Sequence, residues 1–216
     1  VTILSTVDLN VNYIIDEVIK RLQGGEEDNT VLVEASGRHV HLSQEDVETL
    51  FGKGYQLTNK RELSQPGQYL CEEKVTLIGP KGTLQNVSVL GPVRGKTQVE
   101  LSKSDAVSIG INAPVRMSGD IKGTPSIILA TPKSVLRIEE GVIAAKRHIH
   151  ITPEDAAKFG VKDQEEIKIK VGGERGLIFE NVAVRVSSKF RTAIHLDYDE
   201  ANACGFTKGL RATIVK

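Results

Sequence analysis

Four of the five histidines in this chain lie in one phrase that occurs twice. Ser36-Gly37-Arg38-His39-Val40-His41-Leu42-Ser43-Gln44-Glu45-Asp46 returns as Ala145-Lys146-Arg147-His148-Ile149-His150-Ile151-Thr152-Pro153-Glu154-Asp155. Alternate side chains of a strand share a face, so each His-x-His sets two imidazoles side by side, roughly 7 Å apart at the backbone. The aliphatic residue between them turns the other way, into a core. Two converging imidazoles are half of a metal site. The plainer alternative is half-buried strand histidines with no ligand duty. Duplication of the phrase, and its use of nearly all the histidine, favours the metal. The fifth, His195, again stands between aliphatic residues, in Ile194-His195-Leu196-Asp197.

A pair of metals needs further donors. Glu45 and Glu154 follow the histidines at the spacing of a first cupin motif, with Gly52 seven residues after Glu45. Each falls at the second position of an expected helix, where a carboxylate offsets the orphan amides rather than facing the strand's imidazoles. Glu100, in Thr97-Gln98-Val99-Glu100-Leu101, is the better candidate, although a lone strand glutamate is more often simply solvated. Leu90-Gly91-Pro92-Val93-Arg94-Gly95-Lys96 packs two cations into a rigid turn that can present Arg94 to a phosphate or carboxylate. A solvated hairpin tip is the plainer reading of that stretch. Met117-Ser118-Gly119-Asp120-Ile121-Lys122-Gly123-Thr124-Pro125 is a second small-residue loop. Neither loop is a Walker or Rossmann fingerprint, which need a helix directly behind the glycines.

These residues require elements to hold them. From Val31 the chain reads as short strands: 31–35, 38–42, 74–79, 84–90, 97–101, 114–118, 126–130, 134–138, 142–151, 165–171, 177–186, 192–196 and 210–215. Gly/Pro turns separate them, a pattern of barrels rather than of an open α/β sheet. Each histidine phrase runs into a helix. Ser43 with Asp46, and Thr152 with Asp155, stand as N-cap and N3 of capping boxes, Pro153 suits N1, and Gly52 or Gly54 and Gly160 end the two helices. The repeated unit implies two related halves, 109 residues apart, facing one site. Upstream, apolar positions 11, 14, 15, 18, 19 and 22 make a helical stripe over residues 9–22, followed by a Gly-rich acidic linker. That stripe must pack on its own body, on a partner protein or, less readily given Asp16 and Glu17, on a membrane.

Composition bounds the rest. The 216 residues suit one large domain or two of about 100. Lys plus Arg equal Asp plus Glu at 28 each, interspersed, so no general affinity for nucleic acid or an anionic membrane is implied. Cys71 and Cys204 make no disulfide framework and no metal-binding Cys-x-x-Cys. No apolar run reaches a membrane span and no signal peptide precedes the first strand, so a soluble cytosolic protein is expected.

Taken together, Arg-His-Val-His-Leu-Ser, Leu-Gly-Pro-Val-Arg, Gln-Val-Glu-Leu-Ser, Ser-Gly-Asp-Ile-Lys-Gly-Thr-Pro, Arg-His-Ile-His-Ile-Thr-Pro and His-Leu-Asp-Tyr-Asp-Glu-Ala-Asn-Ala resemble the phosphate propanoyltransferases, the PduL-type phosphotransacylases of bacterial microcompartments. The six motifs run from about Val31 to the C-terminus in the family's order. The resemblance implies a mainly β protein of two small barrels with short helices. One barrel is formed by 29–37 and 146–216, the other is inserted as 38–145, and residues 1–28 are an N-terminal helix and linker. It implies two zinc ions, one held by His39, His41 and Glu100, the other by His148, His150 and His195. Arg94 matches the phosphate-binding arginine, with Ser118 close by. Ser36, Leu90 and Asn202 match positions that contact coenzyme A. Ser88 stands where the family often has a basic residue. Members interconvert acyl-CoA plus phosphate with acyl phosphate plus CoA, here expected on propanoyl or acetyl groups. Many begin with a peptide that directs them into a protein shell, and residues 9–22 look similar, which would give shell or core proteins as partners. Self-association is left open. The rival expectations are a single-metal cupin-like enzyme using Glu45, a metal-dependent phosphoester hydrolase, and a non-enzymatic shell or scaffold component.

Overall fold

The computed structural model describes residues 29–215, so the helical stripe expected over 9–22 lies outside the described residues. The described residues are mainly β. Strand β1 (Thr30–Ser36) starts a closed six-stranded barrel, completed late in the chain by β11 (His148–Ile151), β12 (Glu166–Val171), β13 (Leu177–Val186), β14 (Ala193–Asp197) and β15 (Arg211–Val215). The barrel closes through β1, which pairs parallel to β14 and antiparallel to β15. Alternation gives the barrel its apolar inside and charged outside. In β12, Ile167, Ile169 and Val171 point inward while the glutamate and lysines between them stay exposed. Together with Val31, Val33, Ile149, Ile151, Ile194 and Leu196 they fill the barrel interior.

The nine intervening strands form a second sheet: β2 (His39–His41), β3 (Asn59–Glu62), β4 (Tyr69–Ile78), β5 (Thr83–Gly91), β6 (Gln98–Glu100), β7 (Val115–Arg116), β8 (Ile127–Ala130), β9 (Val135–Ile138) and β10 (Val142–Ala145). Their order is β7-β10-β6-β2-β5-β4-β8-β9, with β3 hydrogen-bonded to β4. This sheet curls into a half-barrel around its own core, which includes Val40, Leu42, Leu77, Val89, Val99 and Leu129. The run 142–151, expected as one strand, is two. It breaks at Lys146-Arg147, where the chain leaves the half-barrel for the barrel. The mirror crossing, Gly37-Arg38, separates β1 from β2. Each histidine phrase therefore begins at a crossing between the two sheets.

Four short helices complete the described residues: α1 (Gln44–Phe51), α2 (Lys103–Ser108), α3 (Pro153–Phe159) and α4 (Tyr198–Ala203). Both histidine phrases run into helices as expected, with Ser43 capping α1 and Thr152 capping α3. The left-handed Gly160 (φ 63°) ends α3. The capping box is completed through a relay. Aspartate is one methylene shorter than the usual glutamate. Instead of reaching back to the cap amide, Asp46 accepts from the hydroxyl of Thr97, which itself accepts from Ser43 N at 3.0 Å. Asp155, Thr192 and Thr152 N repeat the arrangement. Where the third residue is Glu200, in α4, the direct two-way box forms with Asp197.

Candidate metal centre and anion cavity

The two sheets place their histidines by register. Antiparallel pairing of β2 with β6 sets His39 opposite Glu100, and pairing of β11 with β14 sets His148 opposite His195. With Val40 and Ile149 committed to the cores, the imidazoles of His39 and His41, and of His148 and His150, must face the other way. Two clusters result. In the half-barrel, His39 Nε2 lies 3.2 Å from His41 Nε2 and 3.4 Å from Glu100 Oε2. In the barrel, His150 Nδ1 lies 3.2 Å from His195 Nε2, and the three ring centroids are 4.7 to 5.1 Å apart. Within each trio, one donor atom per residue lies within 4.8 Å of the others.

The clusters fit metal ions. All the donors are imidazole or carboxylate, in groups of three, which leaves a coordination position for substrate. Burial lowers the pKa of His41 to about 2, helped by neighbouring His39 and Arg94, and that of His150 to about 3, helped by His148 and Arg185. Burial lowers His148 and His195 as well. These rings are neutral at neutral pH, as ligands must be. The Gly37 carbonyl accepts from His39 Nδ1 at 2.7 Å and the Lys146 carbonyl from His148 Nδ1 at 2.8 Å, leaving both Nε2 lone pairs for a ligand. His41 Nδ1 is buried outside strict hydrogen-bond geometry, with the Leu90 backbone facing that ring.

Both clusters open into one cavity of about 470 Å³ between the barrel and the half-barrel, within the usual size of a small-molecule site. Arg94 reaches it from the Gly/Pro turn. That turn is anchored by Arg94 N donating to Leu42 O at 2.8 Å. Arg94 Nη1 donates to Ser118 Oγ at 3.0 Å, and Ser118 Oγ donates to Glu100 Oε1 at 2.8 Å. Gln98 Nε2 donates to the same carboxylate oxygen at 2.6 Å, while Gln98 Oε1 accepts from Gly119 N at 2.7 Å. The two small-residue loops singled out in the sequence are thus joined directly, Arg94 to Ser118, and meet the candidate ligand Glu100 through that serine. Burial pulls the Arg94 guanidinium below its ordinary value, and the Glu100 carboxylate opposes that shift.

Ser36 and Leu90 line the same cavity, as does Ser88. Asn202 is exposed on α4 and is not among the cavity's lining residues. Glu45 and Glu154 are exposed on the first turns of α1 and α3, apart from both clusters, so the cupin-like arrangement lacks its carboxylate. Burial pushes the Cys71 thiol up to about 12 and raises Cys204. Neither is a ready nucleophile.

A second repeat accompanies the first, 95 residues apart rather than 109. Thr97-Gln98-Val99-Glu100-Leu101-Ser102 matches Thr192-Ala193-Ile194-His195-Leu196-Asp197. In each half a threonine relays the cap, a strand residue faces the first histidine, and a cap residue starts a helix. The arginine of each histidine phrase then pairs with that helix's third residue: Arg38 with Asp105 at 3.2 Å, Arg147 with Glu200 at 2.7 Å. Glu100 and His195 therefore occupy one structural position in two halves. Sequence reading missed this second repeat, and with it α2 and α4. It also missed Arg185, which β11–β13 register sets opposite His150, Nη1 lying 3.4 Å from His150 Nε2.

The profile of the phosphate propanoyltransferase family matches residues 32–207. The chain belongs to that family. A phosphate propanoyltransferase of Enterococcus faecalis is 54% identical over 207 residues, covering 96% of this chain and 98% of the relative. That of Listeria monocytogenes is 54% identical over 208 residues, 95% of each chain. That of Thermotoga maritima is 53% identical over 187 residues, covering 86% and 89%. Membership makes the chain an acyltransferase of the phosphate propanoyltransferase type, and the cavity between its two sheets is the candidate site for that chemistry.

Proposed function

We propose that the chain interconverts propanoyl-CoA or acetyl-CoA plus phosphate with the acyl phosphate plus CoA, at a site of two zinc ions. The observation that carries this reading is the convergence of two three-donor clusters and a buried arginine on one cavity. His39, His41 and Glu100 would hold one ion; His148, His150 and His195 the other. Bound there, the ions would supply Lewis acidity toward the thioester oxygen, the phosphate or the departing thiolate. Arg94 binds the phosphate, and Ser118 holds the guanidinium in place. Phosphate is a poor nucleophile, so holding it against the thioester carbonyl is the main task. Its oxygen attacks the carbonyl carbon, the C–S bond breaks, and CoA leaves as thiolate. No acyl-enzyme is needed, in keeping with two buried, unactivated thiols. Ser36, Leu90 and Asn202 are assigned to coenzyme A on the family resemblance, supported for the first two by their place in the cavity wall.

Propanoyl phosphate trapped as its hydroxamate, formed from propanoyl-CoA only when phosphate is present, tests the reaction. Thiol release without hydroxamate would mean hydrolysis instead. The strand memberships support 29–37 with 146–216 as one domain and 38–145 as its insert. We further infer that residues 9–22 address the chain to a protein shell. Deleting residues 1–24 should abolish shell co-sedimentation and leave turnover intact; unchanged partitioning would refute the address.

A further inference from the structure

Two of the six candidate ligands have the same anchor. His39 and His148 each open a strand just after a crossing, and a backbone carbonyl two residues earlier accepts from Nδ1. A carbonyl only accepts, so Nδ1 carries the proton and Nε2 is free. His195 sits inside β14, between β1 and β11, and among the described residues its ring meets side chains, Gln65 Nε2 at 3.4 Å and His150 Nδ1 at 3.2 Å, rather than a backbone carbonyl. A carboxylate stands there instead. Parallel pairing of β1 with β14 sets Glu34 opposite His195, and Glu34 Oε2 lies 3.7 Å from His195 Nδ1. The other ring nitrogen, Nε2, faces His150 Nδ1 at 3.2 Å.

Glu34 is itself held from the other sheet. Ser64 Oγ, in the β3–β4 connection of the half-barrel, donates to the same Glu34 oxygen at 2.5 Å. The next residue pins that connection to the barrel. Gln65 Nε2 donates to Arg191 O at 2.9 Å, and Arg191 N donates to Gln65 Oε1 at 3.3 Å. Gln65 is buried, so this is a built contact rather than a surface encounter.

We propose that Glu34 is a positioning residue for His195, holding the ring as the Nδ1–H tautomer with Nε2 turned into the three-histidine cluster. Ser64 orients Glu34, so the half-barrel sets a ligand that belongs to the barrel. The proposal rests on the metal reading of that cluster. A carboxylate behind a ligating imidazole fixes its orientation and raises its basicity, and losing such a partner weakens metal binding by roughly 10- to 100-fold. Glu34 acts on the chemistry only through His195.

The test is a metal titration of the full chain after stripping, for the unmutated protein, Glu34→Gln, Glu34→Ala and Ser64→Ala. Zn²⁺ is titrated in competition with a chromophoric chelator, and Co²⁺ is followed by its visible absorption. The unmutated chain should bind two equivalents. Glu34→Ala should keep one at unmutated affinity and bind the other about 10- to 100-fold more weakly, with the Co²⁺ spectrum of only that ion altered. Glu34→Gln keeps an oxygen beside Nδ1 but loses the charge, so it should fall between. It is nearly isosteric and carries the test if Glu34→Ala fails to fold. Ser64→Ala should shift the same ion, by less. Two equivalents at unmutated affinity in both Glu34 variants would overturn the proposal and leave the cluster reading standing. An unmutated chain that binds no metal would overturn both together.

Discussion

Replacing Glu100 by glutamine changes one atom in the centre of the site, and its effects on stability and on metal affinity can be measured separately. Glu100 is 8% exposed. Its Oε1 accepts from Gln98 Nε2 and Ser118 Oγ, and its Oε2 faces His39 Nε2. Hydrogen bonds to a charged group are worth about 1 kcal/mol more than neutral ones, so two of them lose about 2 kcal/mol. In the metal-free protein the same substitution removes a buried charge, whose desolvation costs several kcal/mol. It also leaves the buried Arg94 guanidinium without the carboxylate that offsets its burial, so metal-free Glu100→Gln should be less stable than its parent, by about 2 kcal/mol or more. Metal affinity falls as well. The carboxylate is then a ligand with no equal in a neutral amide, and the loss of affinity should exceed the roughly 30-fold that about 2 kcal/mol represents. Zinc titration of stripped protein against a chelator measures the affinity, and urea unfolding of the stripped protein measures the stability. Glu45→Gln is the control. Full affinity in Glu100→Gln, with one equivalent lost in Glu45→Gln, would refute the ligand assignment and revive the cupin-like reading.

Arg94→Lys keeps the charge but not the planar fork. Losing charge-assisted bonds worth about 1.5–3 kcal/mol should cut kcat/KM for phosphate about 10- to 150-fold, while KM for acyl-CoA stays within about threefold; an equal loss for both substrates would contradict phosphate binding by Arg94. The stripped protein should be acid-labile. The folded-state pKa values of His41 and His150, about 2 and 3, lie below the ordinary 6.5, so the unfolded chain binds protons first as pH falls. Their contribution is complete above pH 6.5 and is lost on the way down, to about pH 3 for His150 and about pH 2 for His41, at about 1.4 kcal/mol per pH unit for each ring. A urea midpoint unchanged between pH 7.5 and 5.5 would contradict this. Thr192→Val removes the hydroxyl that serves both Thr152 N and Asp155, and should cost about 1–3 kcal/mol in urea unfolding; no loss would mean that water replaces the relay.

The His-x-His phrases were legible because period-two alternation decides where both imidazoles point, whatever the fold around them. Their helices were legible because Ser43, Thr152 and Pro153 act locally. The relay through Thr97 and Thr192 was not, since each threonine is brought to its cap by strand pairing across 40 or more residues. The second repeat was hidden by its own key position. One half uses glutamate and the other histidine, so a search by ligand type separates the two. Arg185 and Glu34 carry no local signal, being ordinary charged residues in alternating strands whose partners are set by register. The break at Lys146-Arg147 was masked by the aliphatic residues on either side, which read as one continuous strand. Curvature was also out of reach. One sheet closes and the other stays a half-barrel according to which strands become neighbours, and alternation alone does not determine that.

The most direct test of the central claim is release of CoA thiol from propanoyl-CoA, with and without phosphate, on metal-loaded and metal-stripped protein. Release should require both phosphate and metal, return when zinc is restored, and reverse on supplying propanoyl phosphate and CoA. Equal release without phosphate, or full activity after stripping verified by metal analysis, would contradict the proposed site.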